Sequence, residues 1–307
     1  MRKSIRKMSA PLRVYWDLVP EESGGLGRER AAMLAAELAV LKVFFVTIGL
    51  TGGGRPDLPE ISAALKKGGV RVTVSFGDKG SFPGWGVLGP VDGVELRADD
   101  HSGFGGLLGT VMDSAPEGMQ VSVSLVPERD GAAYASEAIA MALDLGVRAF
   151  KLSNPDIVNK PGRAQKFVID DTERALYKRE LEGLLMPYGE GVRLDVHDLF
   201  LHRSLGLPGL GGRIEYAGCQ GGDAIAYIHG TGIVYPCSSW PLPLGDLADS
   251  TLKEIWSGPI RDALVEVIRD LPRDCVQCPD SSVCMGGCRG MAQALGGEGA
   301  KDPGCGM

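Results

Sequence analysis

The sequence predicts an α/β protein in which a parallel sheet is followed by a small cysteine-rich module. Two observations support this prediction. Short apolar, β-branched runs alternate with helical patterns from residue 12 to about residue 196, and all seven cysteines lie between residues 219 and 305. Strands that alternate with helices at this spacing form βαβ units and a parallel sheet. Cysteines confined to one segment indicate a bridged or metal-binding module.

The first two thirds of the chain contain the sheet. Strands are predicted at residues 12–18, 43–48, 70–76, 93–97, 120–126, 147–152 and 193–196. The clearest helical patterns lie at residues 28–40, 60–67, 134–145 and 171–185. Six or seven such units fit either a partial barrel or an open sheet. A connection containing His197, His202 and the glycine-rich segment 206–212 follows, and histidines five positions apart favour packing or capping over metal binding.

Composition and charge limit the functional classes. The chain has 307 residues, 44% hydrophobic and 23% charged, which is ordinary for one large or two medium globular domains. A net charge of −7 argues against nucleic acid as the main partner. The sequence contains no run of eighteen apolar residues, so no membrane span is expected. Residues 1–10 are basic but no apolar run follows them, which is unlike a secretory signal, so a cytoplasmic location is expected.

The cysteine spacing leaves three kinds of module open. The layout is Cys219, Cys237, then Cys275-x2-Cys278-x5-Cys284-x3-Cys288, then Cys305. A disulfide framework would leave one of the seven thiols unpaired. Zinc suits the short Cys-x2-Cys and Cys-x3-Cys steps, but two zinc sites would need eight ligands. Iron-sulfur clusters use sets of four cysteines and often take one from far along the chain, as Cys305 would be.

A helical pattern lies between the second and third cysteines. Thr251 and Glu254 have the spacing of a capping box, and Pro259 is placed as a first-turn proline. The apolar stripe consists of Leu252, Ile255, Trp256, Ile260, Ala263, Leu264, Val267 and Ile268. We expect this stripe to pack the module against the sheet, with a partner-binding groove as the alternative.

The cysteine module resembles the SPASM domain, the auxiliary-cluster module of many radical SAM peptide-modifying enzymes. The resemblance is carried by the seven cysteines, Gly232-Ile-Val-Tyr-Pro-Cys237, Leu244-Gly-Asp-Leu247, Thr251-Leu-Lys-Glu-Ile-Trp256, Gly286-Gly287 and Asp302-Pro-Gly-Cys305. It implies two interleaved iron-sulfur clusters of the 4Fe-4S type. The implied outer ligands are Cys275, Cys278, Cys284 and Cys305. The implied inner ligands are Cys219, Cys237 and Cys288.

The inner set has three thiolates, so its cluster either has an open iron or takes another side chain. Asp223 and His229 are the candidates, although each is more simply explained as a turn residue. Gly286 and Gly287 can bring backbone N–H groups close to a sulfur because they lack a side chain.

The first part of the chain resembles a radical SAM barrel. Residues 12–18 resemble its first strand, and residues 43–60 resemble its second strand with the Gly-Gly-Glu turn that follows. The resemblance implies a partial (β/α)6 TIM-like barrel over residues 1–204 and a SPASM domain over residues 205–307. Active relatives carry Cys-x3-Cys-x2-Cys after strand one, where a cluster chelates S-adenosylmethionine. Here residues 19–28 contain no cysteine, and Gly52-Gly53-Gly54 replaces Gly-Gly-Glu, so no S-adenosylmethionine binding and no catalytic residue are expected.

These features predict an iron-sulfur protein that does not cleave S-adenosylmethionine alone. The expected role is electron transfer or substrate handling beside a complete radical SAM/SPASM enzyme, similar to the SPASM-only member of GeoRSP-type pairs. One alternative is a peptide-binding pseudoenzyme with structural clusters. Another is an enzyme that uses an open iron of the inner cluster, with Asp17 near the barrel mouth, although Asp17 is more simply a strand-end hydrogen-bonding residue. A protein with two zinc ions is the remaining alternative.

Overall fold

The computed structural model describes residues 8–51, 55–77, 82–99, 103–206 and 218–306. Two predicted features lie outside the described residues. They are the turn at Gly52, Gly53 and Gly54 and residues 207–212 of the linker.

Within the described residues, ten strands form one sheet in the order β10-β9-β8-β1-β2-β3-β4-β5-β6-β7. The first seven are β1 (Arg13–Leu18), β2 (Phe45–Leu50), β3 (Arg71–Gly77), β4 (Gly93–Arg97), β5 (Gln120–Leu125), β6 (Ala149–Leu152) and β7 (Arg193–Val196). Each pairs with its sequence neighbour in parallel. The seven predicted strands are therefore confirmed, with ends that move by at most two residues.

The sheet is curled, which decides between the partial barrel and the open sheet. Lys151 on β6 donates from Nζ to the Tyr15 hydroxyl on β1 at 3.3 Å. In a flat sheet, strands five positions apart would be separated by roughly 24 Å. The two strands can meet only if the sheet bends into a barrel. Since β7 pairs with β6 alone among the described strands, the barrel is partial.

Helices cover the outside of the barrel. They are α1 (Arg28–Val40), α2 (Leu58–Lys67), α3 (Trp85–Leu88), α4 (Phe104–Ser114), α5 (Ala132–Asp144), α6 (Asp171–Leu185) and α7 (Leu199–Leu205). The four predicted helices are confirmed. Asp170 starts α6 by accepting hydrogen bonds from the N–H groups of Thr172 and Glu173. None of the helices in the described part of the chain has the length and apolar character needed to cross a lipid bilayer.

The cysteine-rich segment continues the barrel sheet. Strand β8 (Ile225–Ile228) pairs in parallel with β1, and β9 (Ile233–Tyr235) and β10 (Gly245–Asp246) extend the sheet in antiparallel fashion. The remaining helices are α8 (Leu252–Trp256), α9 (Pro259–Arg269), α10 (Ser281–Cys284) and α11 (Arg289–Gly296). Pairing of β8 with β1 thus attaches the module directly to the first barrel strand.

The predicted stripe is confirmed for α8 and corrected for α9. The capping box of Thr251 and Glu254 forms, and Leu252, Ile255 and Trp256 are buried in the barrel core. In α9, however, the buried face consists of Arg261, Val265 and Ile268, while Ile260 is 59% exposed. The difference arises because Arg261 turns inward, where its Nε donates to Gly222 O at 2.6 Å.

Candidate metal centre and barrel cavity

Electrostatic interactions link the seven thiols in two sets. In the first, Cys219 acts on Cys237, and both of these act on Cys288. In the second, the interacting thiols are Cys275, Cys278, Cys284 and Cys305. We call these sets the inner and the outer group, after the two ligand sets that the resemblance implies. Each group combines buried and half-buried thiols.

Local structure positions the inner group. Cys237 follows β9, Cys288 occupies the N-cap position of α11, and Cys219 precedes the turn into β8. Backbone N–H groups donate to these sulfurs: Gly221 and Arg289 to Cys219, Ser239 and Trp240 to Cys237, and Met291 to Cys288. Such donors stabilise negative charge on sulfur and tune the potential of a bound cluster.

Burial strongly affects the inner thiols. It raises the pKa of Cys237 to about 12 and raises the pKa of Cys219 and of Cys288. These thiols are therefore protonated at neutral pH when no metal is bound. Binding of a metal displaces the protons, so metal affinity rises with pH.

A tight turn positions the outer group. The N–H groups of Gly286 and Gly287 donate to the Cys284 sulfur. Met285, Gly286 and Gly287 all have positive φ, at 50°, 88° and 68°. The expectation that these glycines bring N–H groups to a sulfur is confirmed, and the sulfur is that of Cys284.

Asp302 connects the two groups. Its buried carboxylate accepts hydrogen bonds from the Cys288 N–H at 2.5 Å and the Gly304 N–H at 2.8 Å. Burial raises the pKa of Asp302 to about 6. The carboxylate thereby fixes the loop that carries Cys305 against the start of α11.

Replacing Gly287 with alanine is expected to weaken this connection. A Cβ at Gly287 would lie 2.6 Å from Asp302 Cβ, on a backbone with φ of 68°. We expect Gly287→Ala to lower the free energy of unfolding by about 2–4 kcal/mol, from left-handed strain plus overpacking. The matched control is Gly297→Ala, because Gly297 has a φ of 79° and nothing within 4 Å of its Cβ position. Equal losses in denaturant unfolding of the two variants would contradict the role of the Asp302 contact.

The residues around the cysteines fit a negatively charged iron-sulfur cluster. Arg289 is 4% exposed, and its Nε has no hydrogen-bond partner among the described residues. The indole N–H of Trp240, which packs in the same apolar cluster as Cys237, also has none among them. Buried donors without acceptors are costly unless a bound group supplies the acceptor.

The geometry also bears on the type of metal. Among the described residues, no three or more His, Cys, Asp or Glu side chains are placed to hold one metal ion. A zinc ion needs its four donors within about 2.0–2.3 Å of one point. In a four-iron cluster each thiolate binds a different iron, so the thiolates need not converge.

The two candidates for a fourth inner ligand are engaged elsewhere. The Asp223 carboxylate forms ion pairs with Arg261 at 3.2 Å and with Arg269 at 3.7 Å. The His229 Nδ1 lies 2.7 Å from the Thr231 hydroxyl. The His229 side chain thus has the turn interaction that was the simpler expectation for it, whereas the Asp223 side chain pairs with arginines of α9 instead of with its own turn.

A cavity of about 1100 Å³ occupies the barrel interior. Its wall includes polar side chains from six strands, namely Tyr15, Asp17, Thr47, Ser75, Glu95, Arg97, Ser124 and Lys151. Cys237 and Ser238 also line it, so the inner cysteine group borders the cavity. Of the strand residues, the sequence had singled out Asp17 alone. The alternation of inward and outward positions could have found the others.

The cavity wall is cross-linked by hydrogen bonds. Lys151 Nζ lies 3.4 Å from Glu95, which accepts from the Ser75 hydroxyl at 3.1 Å. Asp17 accepts hydrogen bonds from the Tyr227 hydroxyl and from Asn159 Nδ2 at 3.0 Å. Burial raises the pKa of Asp17. Because Tyr227 belongs to β8, Asp17 helps to join the barrel to the cysteine module.

The loop after β1 is closed by an arginine. Arg55 is 2% exposed and donates from Nη1 to the carbonyl oxygens of Val19 and Leu26. Its Nε and Nη2 form a double hydrogen bond with Asp57 at 2.9 and 2.5 Å. The guanidinium therefore ties the loop after β1 to the segment after β2, where the resemblance places the S-adenosylmethionine site of active relatives.

Comparison with known proteins identifies the cysteine-rich segment. Residues 219–279 match the SPASM family, an iron-sulfur cluster-binding domain. This match covers less than half of the chain. No curated protein sequence matches the chain significantly.

Solved structures share the fold of the whole chain. Streptococcus suis SuiB bound to S-adenosylmethionine superposes with a TM-score of 0.69 at 13% identity, covering 97% of this chain and 78% of SuiB. Native anSMEcpe with bound AdoMet gives 0.62 at 14% identity, covering 95% and 94%. SuiB bound to its precursor peptide SuiA gives 0.68 at 13% identity, covering 97% and 76%. The fold is therefore the mixed α/β fold of radical SAM enzymes, with the SPASM segment in its C-terminal part.

Proposed function

We propose that this protein holds two auxiliary iron-sulfur clusters of the four-iron type. The outer cluster is bound by Cys275, Cys278, Cys284 and Cys305, and the inner cluster by Cys219, Cys237 and Cys288. The observation that carries this proposal is the grouping of the seven thiols, four of which lie within residues 219–279, the segment that matches an iron-sulfur family. When bound, such clusters supply one-electron redox chemistry.

The chain's own residues would set the environment of these clusters. Backbone N–H groups donate to Cys219, Cys237, Cys284 and Cys288, and Asp302 holds the two groups side by side. Neighbouring clusters suit the passage of single electrons. Clusters held by these residues would supply one-electron transfer between a low-potential donor and a partner protein.

We further propose that the protein does not cleave S-adenosylmethionine alone. The loop at residues 19–28 has no cysteine, and Arg55 closes it against the segment after β2. The protein then acts in the cytoplasm as an electron-transfer or substrate-handling partner of a radical SAM/SPASM peptide-modifying enzyme, as in GeoRSP-type pairs.

The barrel cavity favours a second candidate function. At about 1100 Å³ it is large enough for several side chains of a peptide, and its wall includes both apolar and polar side chains. A peptide-binding pseudoenzyme with structural clusters would use this cavity. Variants that have lost their clusters but remain folded and still bind the peptide would favour this candidate over electron transfer.

An anaerobic reduction experiment tests the first proposal. The reconstituted protein is mixed with a low-potential one-electron donor, with and without S-adenosylmethionine, and is followed by EPR and by analysis of cofactor cleavage. We expect reduced-cluster signals, the same signals in both samples, and no cleavage. Clusters that accept no electron, or cleavage by the isolated protein, would contradict the proposal.

A further inference from the structure

Arg289 is a buried cation that lies beside both cysteine groups. It begins α11 directly after Cys288 and is 4% exposed. Its Nη1 donates to Ala300 O at 3.0 Å, and its Nη2 lies 3.4 Å from Val267 O. These carbonyl oxygens hold the guanidinium in place, but they carry no formal charge to balance it. Among the described residues, no carboxylate forms an ion pair with Arg289.

Several contacts direct Arg289 toward the cysteines. Its backbone N–H donates to the Cys219 sulfur, and its Cδ lies 3.4 Å from the Cβ position of Gly286, in the turn that bonds Cys284. The turn at Gly286 follows Cys284 of the outer group, and Arg289 itself directly follows Cys288 of the inner group. Arg289 therefore lies next to both groups.

A buried cation without a counter-charge is expensive. The cost disappears if negative charge arrives beside it, as it does when thiolates bind a cluster. The Nε–H, which has no partner among the described residues, is then available to a sulfur atom.

We propose that Arg289 raises the reduction potentials of both clusters, by its charge and by an Nε–H hydrogen bond to a cluster sulfur. Reduction adds one negative charge to a cluster. A nearby cation stabilises the more negative form, and a buried charge is little screened by salt. This inference rests on the proposed function in that both cysteine groups must hold clusters.

The test compares three variants of the reconstituted 307-residue protein by EPR-monitored redox titration. Arg289→Gln removes the charge, and Arg289→Lys keeps the charge but lacks the Nε–H. The control is Arg261→Gln, because Arg261 lies in the same module and is 2% exposed, but pairs with the Asp223 carboxylate. Iron content is measured for each protein.

We expect Arg289→Gln to disfavour reduction of both clusters at least tenfold, which is about 59 mV for one electron. Arg289→Lys should shift in the same direction by less, and Arg261→Gln should leave both potentials unchanged. Unchanged potentials in Arg289→Gln, or equal shifts in Arg289→Gln and Arg261→Gln, would overturn the inference.

Two further outcomes keep the test decisive. If Arg289→Gln does not retain iron, Arg289→Lys is compared with the wild-type protein instead. Lower reduction potentials in Arg289→Lys support the inference, and unchanged potentials contradict it. A wild-type protein that binds no iron refutes the proposed function itself. A wild-type protein with iron whose potentials do not respond at Arg289 refutes only the inference.

Discussion

Serine substitutions at the cysteines are expected to remove iron in two blocks. Reconstituted wild-type protein should hold about eight irons in two four-iron clusters. Cys284→Ser should leave about four, because it removes a ligand of the outer cluster alone. Cys237→Ser should also leave about four, because Cys237 belongs to the inner group. Iron and sulfide analysis with Mössbauer spectroscopy measures both losses.

Double variants provide the control for this grouping. Cys275→Ser combined with Cys284→Ser should lose no more iron than Cys284→Ser alone, since both thiols belong to the outer group. Cys284→Ser combined with Cys237→Ser should lose nearly all of it. The two ligand sets are assigned incorrectly if the iron losses caused by Cys275→Ser and Cys284→Ser add, while those caused by Cys284→Ser and Cys237→Ser do not.

Removing Arg55 is expected to cause the largest loss of stability outside the cysteine module. Its guanidinium and the Asp57 carboxylate are 2% and 5% exposed, so Arg55→Met leaves a buried carboxylate without a counter-charge. Breaking such a pair costs about 3–5 kcal/mol of unfolding free energy. Chemical denaturation of the protein before and after the substitution measures the loss. The double variant Arg55→Met, Asp57→Leu should recover much of it, because both charges are then absent.

The pH dependence of stability gives a second readout of this pair. Burial raises the pKa of Asp57. The hydrogen bonds and the charge of Arg55 lower it by more than burial raises it, so the pKa lies below its usual value. The stabilisation is therefore present above the pKa of the unfolded chain, about 4. It is lost as the pH falls through the lower pKa of the folded protein. Arg55→Met should lose this acid-side dependence, and a variant that retains it would show that Arg55 does not stabilise the Asp57 carboxylate.

The barrel strands could be predicted because their signal is local. Each of the seven has a short apolar run bounded by helix or turn residues. Helix α4 was missed because Gly105, Gly106 and Gly109 interrupt its pattern, and its burial in the core compensates for their low helix propensity. The run Ile225–Ile228 gave no sign that β8 would pair with β1, more than two hundred residues earlier. Strand pairing over such distances depends on tertiary structure that a local pattern does not contain.

The candidate site was partly visible in the sequence. Cysteine spacing and its family resemblance named all seven thiols. The side chains that surround them were not visible, because Arg289 and Asp302 look like ordinary charged residues until burial is known. Arg55 was missed for the same reason. The buried face of α9 was misplaced because an inward-facing arginine does not fit an apolar stripe.

Anaerobic reconstitution with iron and sulfide tests the central claim most directly. Iron counting, Mössbauer spectroscopy and EPR are carried out on the full chain with and without S-adenosylmethionine. Two four-iron clusters should give about eight irons, a reducible signal, and no spectral change on adding the cofactor. Zinc in place of iron, or a spectrum that shifts with S-adenosylmethionine, would contradict this account.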